Sequence, residues 1–364
     1  MRRAPCRREL GENAHHQDAA RADRVIEIDG SFGEGGGQLV RTAVALSAIT
    51  GKSVRLQNVR AKRDKPGLAP QHLAAVRAVG SLCGAECSEL DLRSRAFTFA
   101  PGEMSGGEFR FDVGTAGSVT LVLQALLPVL ACAPVPSRVT VVGGTDVRAA
   151  PPFDYLCHVL LALLGRMGIG IECRAIRRGY YPRGGGEVEV AVAPARPRPL
   201  ALDAARRPPR IDGLAHVANL PAHIAERMRD AALARLDAYP AHINTATLGG
   251  AEAIGPGGAV VVWARMGETV LGAGRVAQRG VRAETLGDEA GAELAADLAA
   301  GAALDVHAAD QLLVYLALAG SGSFATREVT GHARTAMWLI EQFLPVRFEV
   351  GTAGDLARVK VRSR

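Results

Sequence analysis

The chain has 364 residues, enough for two domains or for one domain carrying a large insertion. Apolar residues make up 48% and charged ones 22%, which excludes disorder over most of the length, and an aromatic share of 4% argues against broad base-stacking sheets. The formal charge of +6 favours an anionic partner, although lysine supplies only four of the 43 basic residues (Lys52, Lys62, Lys65 and Lys360). Residues 1–24 hold six arginines against four acids and no apolar run, so neither a secretory signal nor a mitochondrial presequence fits; a disordered extension is expected.

From residue 25 onward a pattern recurs. A strand at 25–29 leads through a glycine turn (33–37) into a helix at 38–49, followed by a strand at 54–59 and a second helix at 70–82. The order repeats with strand 109–113, turn 114–117, helix 118–131, strand 138–142 and helix 152–167. A third round is predicted from strand 269–272, helix 306–319, strand 326–329, helix 335–343 and strand 346–350. Strand layers with two helices on one face would let three such units share a core. Between the second and third rounds, the Pro/Arg-rich stretch 194–209 predicts a linker. Elements at 211–263 predict a small inserted α/β domain. The expected division is an extension at 1–24, a three-unit domain at 25–185 and 269–364, and an insert at 186–268.

The longest apolar runs are interrupted by Gln124, Pro128 or Arg166, so no bilayer span is expected. The six cysteines are scattered, and Cys83 and Cys87 form a lone C-x₃-C, which disfavours a zinc cage or disulfide framework. A reduced cytoplasmic protein fits best. Gly51-Lys52-Ser53 lacks the earlier glycine and following helix of a phosphate loop. Gly272–Ala277 lacks the helix of a dinucleotide fingerprint.

Three constellations remain. In Gly33-Glu34-Gly35-Gly36-Gly37-Gln38-Leu39-Val40-Arg41, the glycines permit close backbone approach and the following helix points amides at the turn. Glu34 could hold a divalent ion there, and Arg41 could reach a phosphate oxygen. A tight structural turn is the plainer explanation of the glycines alone. Residues 60–73 place Arg60, Lys62, Arg63 and Lys65 before a Pro-Gly and the helix of Gln71 and His72. This reads as a phosphate clamp or a solvated loop, with His72 a core residue. In Asp305-Val306-His307-Ala308-Ala309-Asp310-Gln311, Asp305 is a fair N-cap. The positive helix end should then keep His307 neutral and nucleophilic.

The strings GEGGGQLVRTAVALS, VRAKRDKPGLAPQHL, GTAGSVTLVLQALLP, GGTDVRAAPPFDY, GYYPRGGGEV and HAADQLLVYLALAGSGSF resemble those of RNA 3′-terminal phosphate cyclases, in order, from about Val25 to the C-terminus. The resemblance implies an α/β (α+β) fold. Three repeats like the C-terminal domain of a translation initiation factor would carry a smaller thioredoxin-like insert. It implies ATP-dependent conversion of an RNA 3′-phosphate into a 2′,3′-cyclic phosphodiester through histidyl-AMP and an RNA-adenylate, with Mg²⁺ or Mn²⁺. By this resemblance His307 is the nucleophile, Glu34 the metal-contacting acid and Gln124 an ATP contact. The segment Arg282-Ala283-Glu284-Thr285-Leu286 would bind the adenine nucleotide, and Arg41, Arg60, Arg63 and Gln71 would surround phosphates. Asp305-Val306 stand where many relatives have Gly-Glu, and Arg282 replaces a small residue. The partners implied are RNA with a 3′-phosphate end and ATP, with a homodimer left open. A non-catalytic ribosome-assembly relative and an enolpyruvyl-type transferase are the alternatives.

Overall fold

Alternating apolar residues place β1 (Ile26–Asp29) parallel to β2 (Val54–Gln57), with α1 (Gly37–Thr50) crossing between them. After α2 (Pro70–Cys83) the chain adds an antiparallel pair, β3 (Glu86–Ser88) and β4 (Phe97–Ala100), giving the sheet order β1-β2-β4-β3. The computed structural model describes residues 25–202 and 209–364, so the expected extension at 1–24 lies outside the described residues.

The same path recurs. β5 (Glu108–Asp112), α3 (Val119–Ala131), β6 (Ser137–Gly143), α4 (residues 153–166, with a π turn at Leu156–Leu160), β7 (Ile171–Gly179) and β8 (Gly186–Val192) form a sheet ordered β5-β6-β8-β7. β9 (Leu200–Leu202) opens the third unit, and the chain then leaves it. The excursion contains β10 (Arg210–Ala218), α5 (His223–Arg235), β11 (Ala241–Leu248), β12 (Ala253–Ile254), β13 (Gly257–Met266), β14 (Thr269–Val276) and α6 (Ala283–Ala299). Its own sheet runs β11-β10-β13-β14, while β12 extends the second unit's sheet beside β7. The chain returns with α7 (Val306–Leu318), β15 (Ser321–Thr326), α8 (Gly331–Phe343), β16 (Val346–Ala353) and β17 (Leu356–Ser363), and the order β9-β15-β17-β16 copies the first two sheets.

This topology corrects the expected boundaries at both ends of the insert. Residues 186–192 pair with β6 and β7 and so finish the second unit. Thr269–Val276 pairs along its length with β13, so it belongs to the insert and not to the third unit. The first strand of that unit is β9, three residues inside the stretch read as a linker, held parallel to β15. Each unit also ends in an antiparallel pair of strands, where the sequence pattern stops at a helix in the first two rounds and at the single strand 346–350 in the third.

One apolar core joins all three units, with Leu46, Leu126 and Leu312 from the equivalent helices α1, α3 and α7 fully buried in it. A second core holds α5 and α6 against the inserted sheet. β13 serves both by strand alternation: Val260, Val262 and Ala264 face the insert's core, and Val261 and Trp263 face the shared one. Both rejected motifs are ordinary structure. Gly51 is the left-handed C-cap of α1 (φ 69°), and Gly272–Val276 is strand.

Asp305 ties these bodies together. Fully buried, its Oδ1 accepts hydrogen bonds from the His307 and Ala308 amides (3.0 and 2.8 Å) and from the Tyr155 hydroxyl (2.7 Å). Its Oδ2 accepts from the Gly272 amide (2.9 Å). One carboxylate thus caps α7 and binds it to α4 and to the insert. Asp305→Ala should cost about 3 kcal/mol in urea denaturation, because it removes a cap and strands two buried donors. Asp305→Ser should recover about 1 kcal/mol by restoring the cap alone. A loss for the alanine variant no larger than a cap would show that the Tyr155 and Gly272 bonds add nothing.

Candidate active site

The turn between β1 and α1 is built from glycine because its surroundings leave no room for side chains. A Cβ at Gly37 would collide with the His72 ring, and one at Gly331 would collide with the Glu34 carboxylate. The contact at Gly331 brings the first unit against the start of α8. The Glu34 amide donates to Thr335 Oγ1 (3.2 Å), and Arg63 Nη2 reaches Glu34 O (3.2 Å) and Oε2 (3.5 Å). Glu34, Arg63 and the first turn of α8 therefore meet although 268 residues separate Arg63 from Gly331.

Arg41 lies beneath them, buried in α1. Among the described residues no carboxylate pairs with it. Its Nη2 donates to Gln124 Oε1 (3.4 Å), and its Nε has no partner. Burial pushes its pKa down to about 10, so it remains cationic at neutral pH. Gln124 Nε2 donates in turn to Gln311 Oε1 (2.7 Å), and Gln311 Nε2 to the His307 carbonyl (3.0 Å). An amide relay thus runs from α1 through α3 to α7, taking one side chain from each unit.

The two histidines at this junction are shifted in opposite directions. His307 is 56% exposed, and its Nε2 stands 3.2 Å from Glu293 Oε1 on α6. That hydrogen bond raises the His307 pKa against the opposing effect of burial, with Asp305 adding to it. Burial disfavours the Glu293 carboxylate, yet His307 and Arg275 (2.7 Å) hold its pKa down to about 2. The neutral ring expected at His307 is therefore corrected: its partner holds it toward imidazolium and occupies its Nε2. The imidazole held toward its neutral form is His332, in the first turn of α8. Burial lowers its pKa, Glu34 opposes this, and Arg63, Arg41 and His307 lower it further.

Asp310, with a pKa raised by burial to about 7, accepts from the Thr330 hydroxyl (2.7 Å). Thr330 caps α8 by accepting from the Ala333 amide (2.9 Å), so α7 fixes the helix that carries His332. His72 is buried, as expected of a core residue. Burial first, then Arg41 and Arg60, push it down to about 3, and its Nδ1 accepts from the Ala69 amide.

Other expected residues serve the frame. Arg60 Nη1 donates to the carbonyls of Lys65 (2.9 Å) and Gly67 (2.8 Å), clasping the basic loop. Gln71 Oε1 accepts from the Ser118 amide (3.3 Å), joining α2 to the cap of α3. The segment from Arg282 to Leu286 is engaged elsewhere, which corrects its expected nucleotide role. It starts α6, with Ala283 and Leu286 in the insert's core and Glu284 held by Arg227 through both oxygens (2.7 and 2.8 Å). Glu293 lies about 14 Å further along that helix. Sequence reasoning assigned no role to Glu293 or His332, and none to Asp310 and Gln311 beyond their place in the string around His307. The cap-plus-first-turn pattern of Thr330-Gly331-His332 was the available signal for the last.

Imidazole NMR should find His332 titrating below the ordinary value of 6.5 and His307 above it. Glu293→Gln should move His307 down and His332 up by a smaller amount, since His307 is the weakest of the cations that lower it. The ion pair at His307 contributes stability that is present at acid pH and lost as pH rises through its raised pKa. Equal titration of both rings would remove the distinction.

The family model described as RNA 3′-terminal phosphate cyclase matches residues 32–350. A protein of Nitrosospira multiformis named RNA 3′-terminal phosphate cyclase is 53% identical over 339 residues, covering 92% of this chain and 96% of its own. Proteins of the same name from Pyrobaculum neutrophilum and Methanopyrus kandleri are 45% and 43% identical, each covering 93% of this chain and 98% and 99% of their own. Among solved structures, the enolpyruvyl transferase NikO from Streptomyces tendae aligns at a TM-score of 0.38 and 12% identity, over 93% of this chain and 48% of that one. At that score the likeness transfers neither fold nor function.

Proposed function

The chain belongs to the RNA 3′-terminal phosphate cyclase family, whose reaction closes an RNA 3′-phosphate into a 2′,3′-cyclic phosphodiester at the expense of ATP, and we propose that AMP is carried here on His332. The observation behind the choice of residue is an imidazole held toward its neutral form beside Arg63, Glu34 and a buried Arg41 that, among the described residues, no carboxylate neutralises. A nucleophile needs a free lone pair, and cations beside it both keep the proton off and attract the phosphates it must attack.

In the first step a His332 ring nitrogen attacks the α-phosphorus of ATP. A P–N bond forms, the α–β P–O bond breaks and pyrophosphate leaves. An oxygen of the RNA 3′-phosphate then attacks the same phosphorus, breaking the P–N bond and making a phosphoanhydride. Finally the adjacent 2′-hydroxyl attacks the RNA phosphorus, loses its proton, closes the ring and expels AMP. Arg41 and Arg63 would hold phosphoryl oxygens. Gln124 would position the nucleotide while keeping Arg41 in place, and Arg60 and Gln71 would keep the loop and helix ends in register.

A hydrated Mg²⁺ or Mn²⁺ suits Glu34, because such ions are held by one or two carboxylates together with substrate phosphates, and Glu34 is an exposed carboxylate beside phosphate-binding arginines. When bound, the ion would offset charge on the triphosphate. The strand orders support the finer fold reading: three initiation-factor-like units, and a thioredoxin-like insert of βαβ followed by ββα. A homodimer in the cytoplasm remains part of the proposal.

With α-labelled ATP and divalent metal, wild type should take up acid-labile, base-stable label on a peptide containing His332. His332→Ala and His332→Asn should abolish labelling with little change in melting temperature. His307→Ala should still label, because it removes the ion pair with Glu293 and leaves the nucleophile. Labelling that survives at His332→Ala and vanishes at His307→Ala would restore the assignment made from sequence. Arg63→Ala should slow labelling by a few kcal/mol of barrier, roughly 10²- to 10³-fold.

A further inference from the structure

The string Arg177-Arg178-Gly179-Tyr180-Tyr181-Pro182-Arg183 has no part in the chemistry above. Its seven residues hold three arginines, two tyrosines and no acid. It forms the turn between β7 and β8, closed by the Gly184 amide donating to the Tyr180 carbonyl (2.8 Å), with Tyr181, Pro182 and Arg183 at the tip. The foot of the turn is fixed by a buried network. Arg178 binds Asp146 Oδ2 (3.1 Å) and Asp154 Oδ1 (2.7 Å), and the Tyr180 hydroxyl lies 3.0 Å from His216 Nε2. Gly184 packs so tightly on the backbone of Thr115 and Ala116 that a side chain there would not fit.

The tip is open. Tyr181 is 79% exposed, and Arg183 is exposed beside it, while the other tyrosines are buried or half-buried. An aromatic ring held outward on a rigid foot binds a flat partner with little ordering cost. The location identifies the partner. Ala116 belongs to the turn before α3, and two residues later the Ser118 amide is bonded to Gln71, the neighbour of His72 in the first turn of α2. The foot of the turn is therefore joined through Ala116 and Ser118 to the start of α2, whose His72 packs against the Gly37 end of the glycine turn. The adjoining β6–α4 loop meets the foot at Asp146 and exposes Arg148. An aromatic face flanked by arginines suits single-stranded nucleic acid, since every base has a π face and every linkage an anion.

We propose that Tyr181 and Arg183 bind the single-stranded RNA just upstream of the reacting 3′ end, Tyr181 stacking on a base and Arg183 pairing with a backbone phosphate. The inference rests on the cyclase reading for its ligand, and binding can be measured without turnover. A 3′-phosphorylated oligonucleotide of about ten residues, titrated by fluorescence anisotropy in the absence of ATP, would be compared across wild type, Tyr181→Ala, Tyr181→Trp and Arg183→Ala. Self-adenylation with ATP alone reports that each variant is folded.

Tyr181→Ala should weaken RNA binding roughly 5- to 150-fold, the equivalent of about 1–3 kcal/mol of lost stacking. Tyr181→Trp should bind near wild type, and Arg183→Ala should flatten the salt dependence by about one ion. Unchanged RNA affinity in a normally adenylating Tyr181→Ala overturns the proposal. So does a Tyr181→Ala variant that turns a dimer into a monomer in sedimentation at unchanged RNA affinity, which would make the tip a contact between copies. Tyr181-dependent RNA binding in a wild type that takes no label from ATP would sustain this proposal and sink the adenylation reading.

Discussion

A guanidinium buried, among the described residues, without a carboxylate partner is the constraint on which the rest of this molecule depends. Removing a cation from water costs several kcal/mol, and most proteins offset that with an anion. At Arg41 the offset comes from the amide oxygen of Gln124, itself held by Gln311. Amides orient the arginine without neutralising it, so the positive potential survives to act on His72 and His332. The relay is possible only because the fold repeats. Gln124 and Gln311 each stand six residues after the caps Ser118 and Asp305, and Arg41 stands five after Gly36. Three equivalent helices therefore present side chains to one point.

The insert is placed by the same symmetry. In the first two units the connection from the first strand to the first helix is a short turn, residues 30–36 and 113–118. In the third unit that connection spans residues 203–305, so the excursion begins and ends at the rim of the site. Its contacts follow from this entry point. The Gly272 amide reaches the carboxylate that caps α7, and Glu293 reaches the histidine in that helix's first turn. A movement of the insert would act first on the charge and position of His307.

Much of this was legible locally. The repeat could be read because α1, α3 and α7 are apolar helices entered through turn residues, and the cap at Asp305 is a short-range preference. Glu34 and Arg41 share one turn and helix, so their proximity needed no fold. What failed depended on long-range pairing. β9 is three residues in a Pro/Arg-rich stretch, and only its partner β15 makes it a strand. β14 is a strand buried on both faces, with Val270 in the shared core and Leu271 and Ala273 in the insert's, and nothing local says that β13 is its neighbour. α6 is rich in Ala and Gly, with no clear apolar stripe to mark it, and it carries the Glu293 that resets His307.

The two histidines show which force decides. Both occupy the second position of a capped helix, His307 in α7 and His332 in α8. The helix terminus disfavours imidazolium at each by about 0.3–1 kcal/mol, less than one pKa unit. A hydrogen bond to a charged group is worth about 1.5–3 kcal/mol. At His307 Glu293 supplies that bond, and the larger effect wins despite the dipole. At His332 the nearby acid is Glu34, whose carboxylate Arg63 already shares, while Arg63 and Arg41 repel a proton. Identical local sequence logic therefore yields a ring held toward imidazolium at one helix start and a ring held toward the neutral form at the other, and the difference lies in side chains contributed by other units.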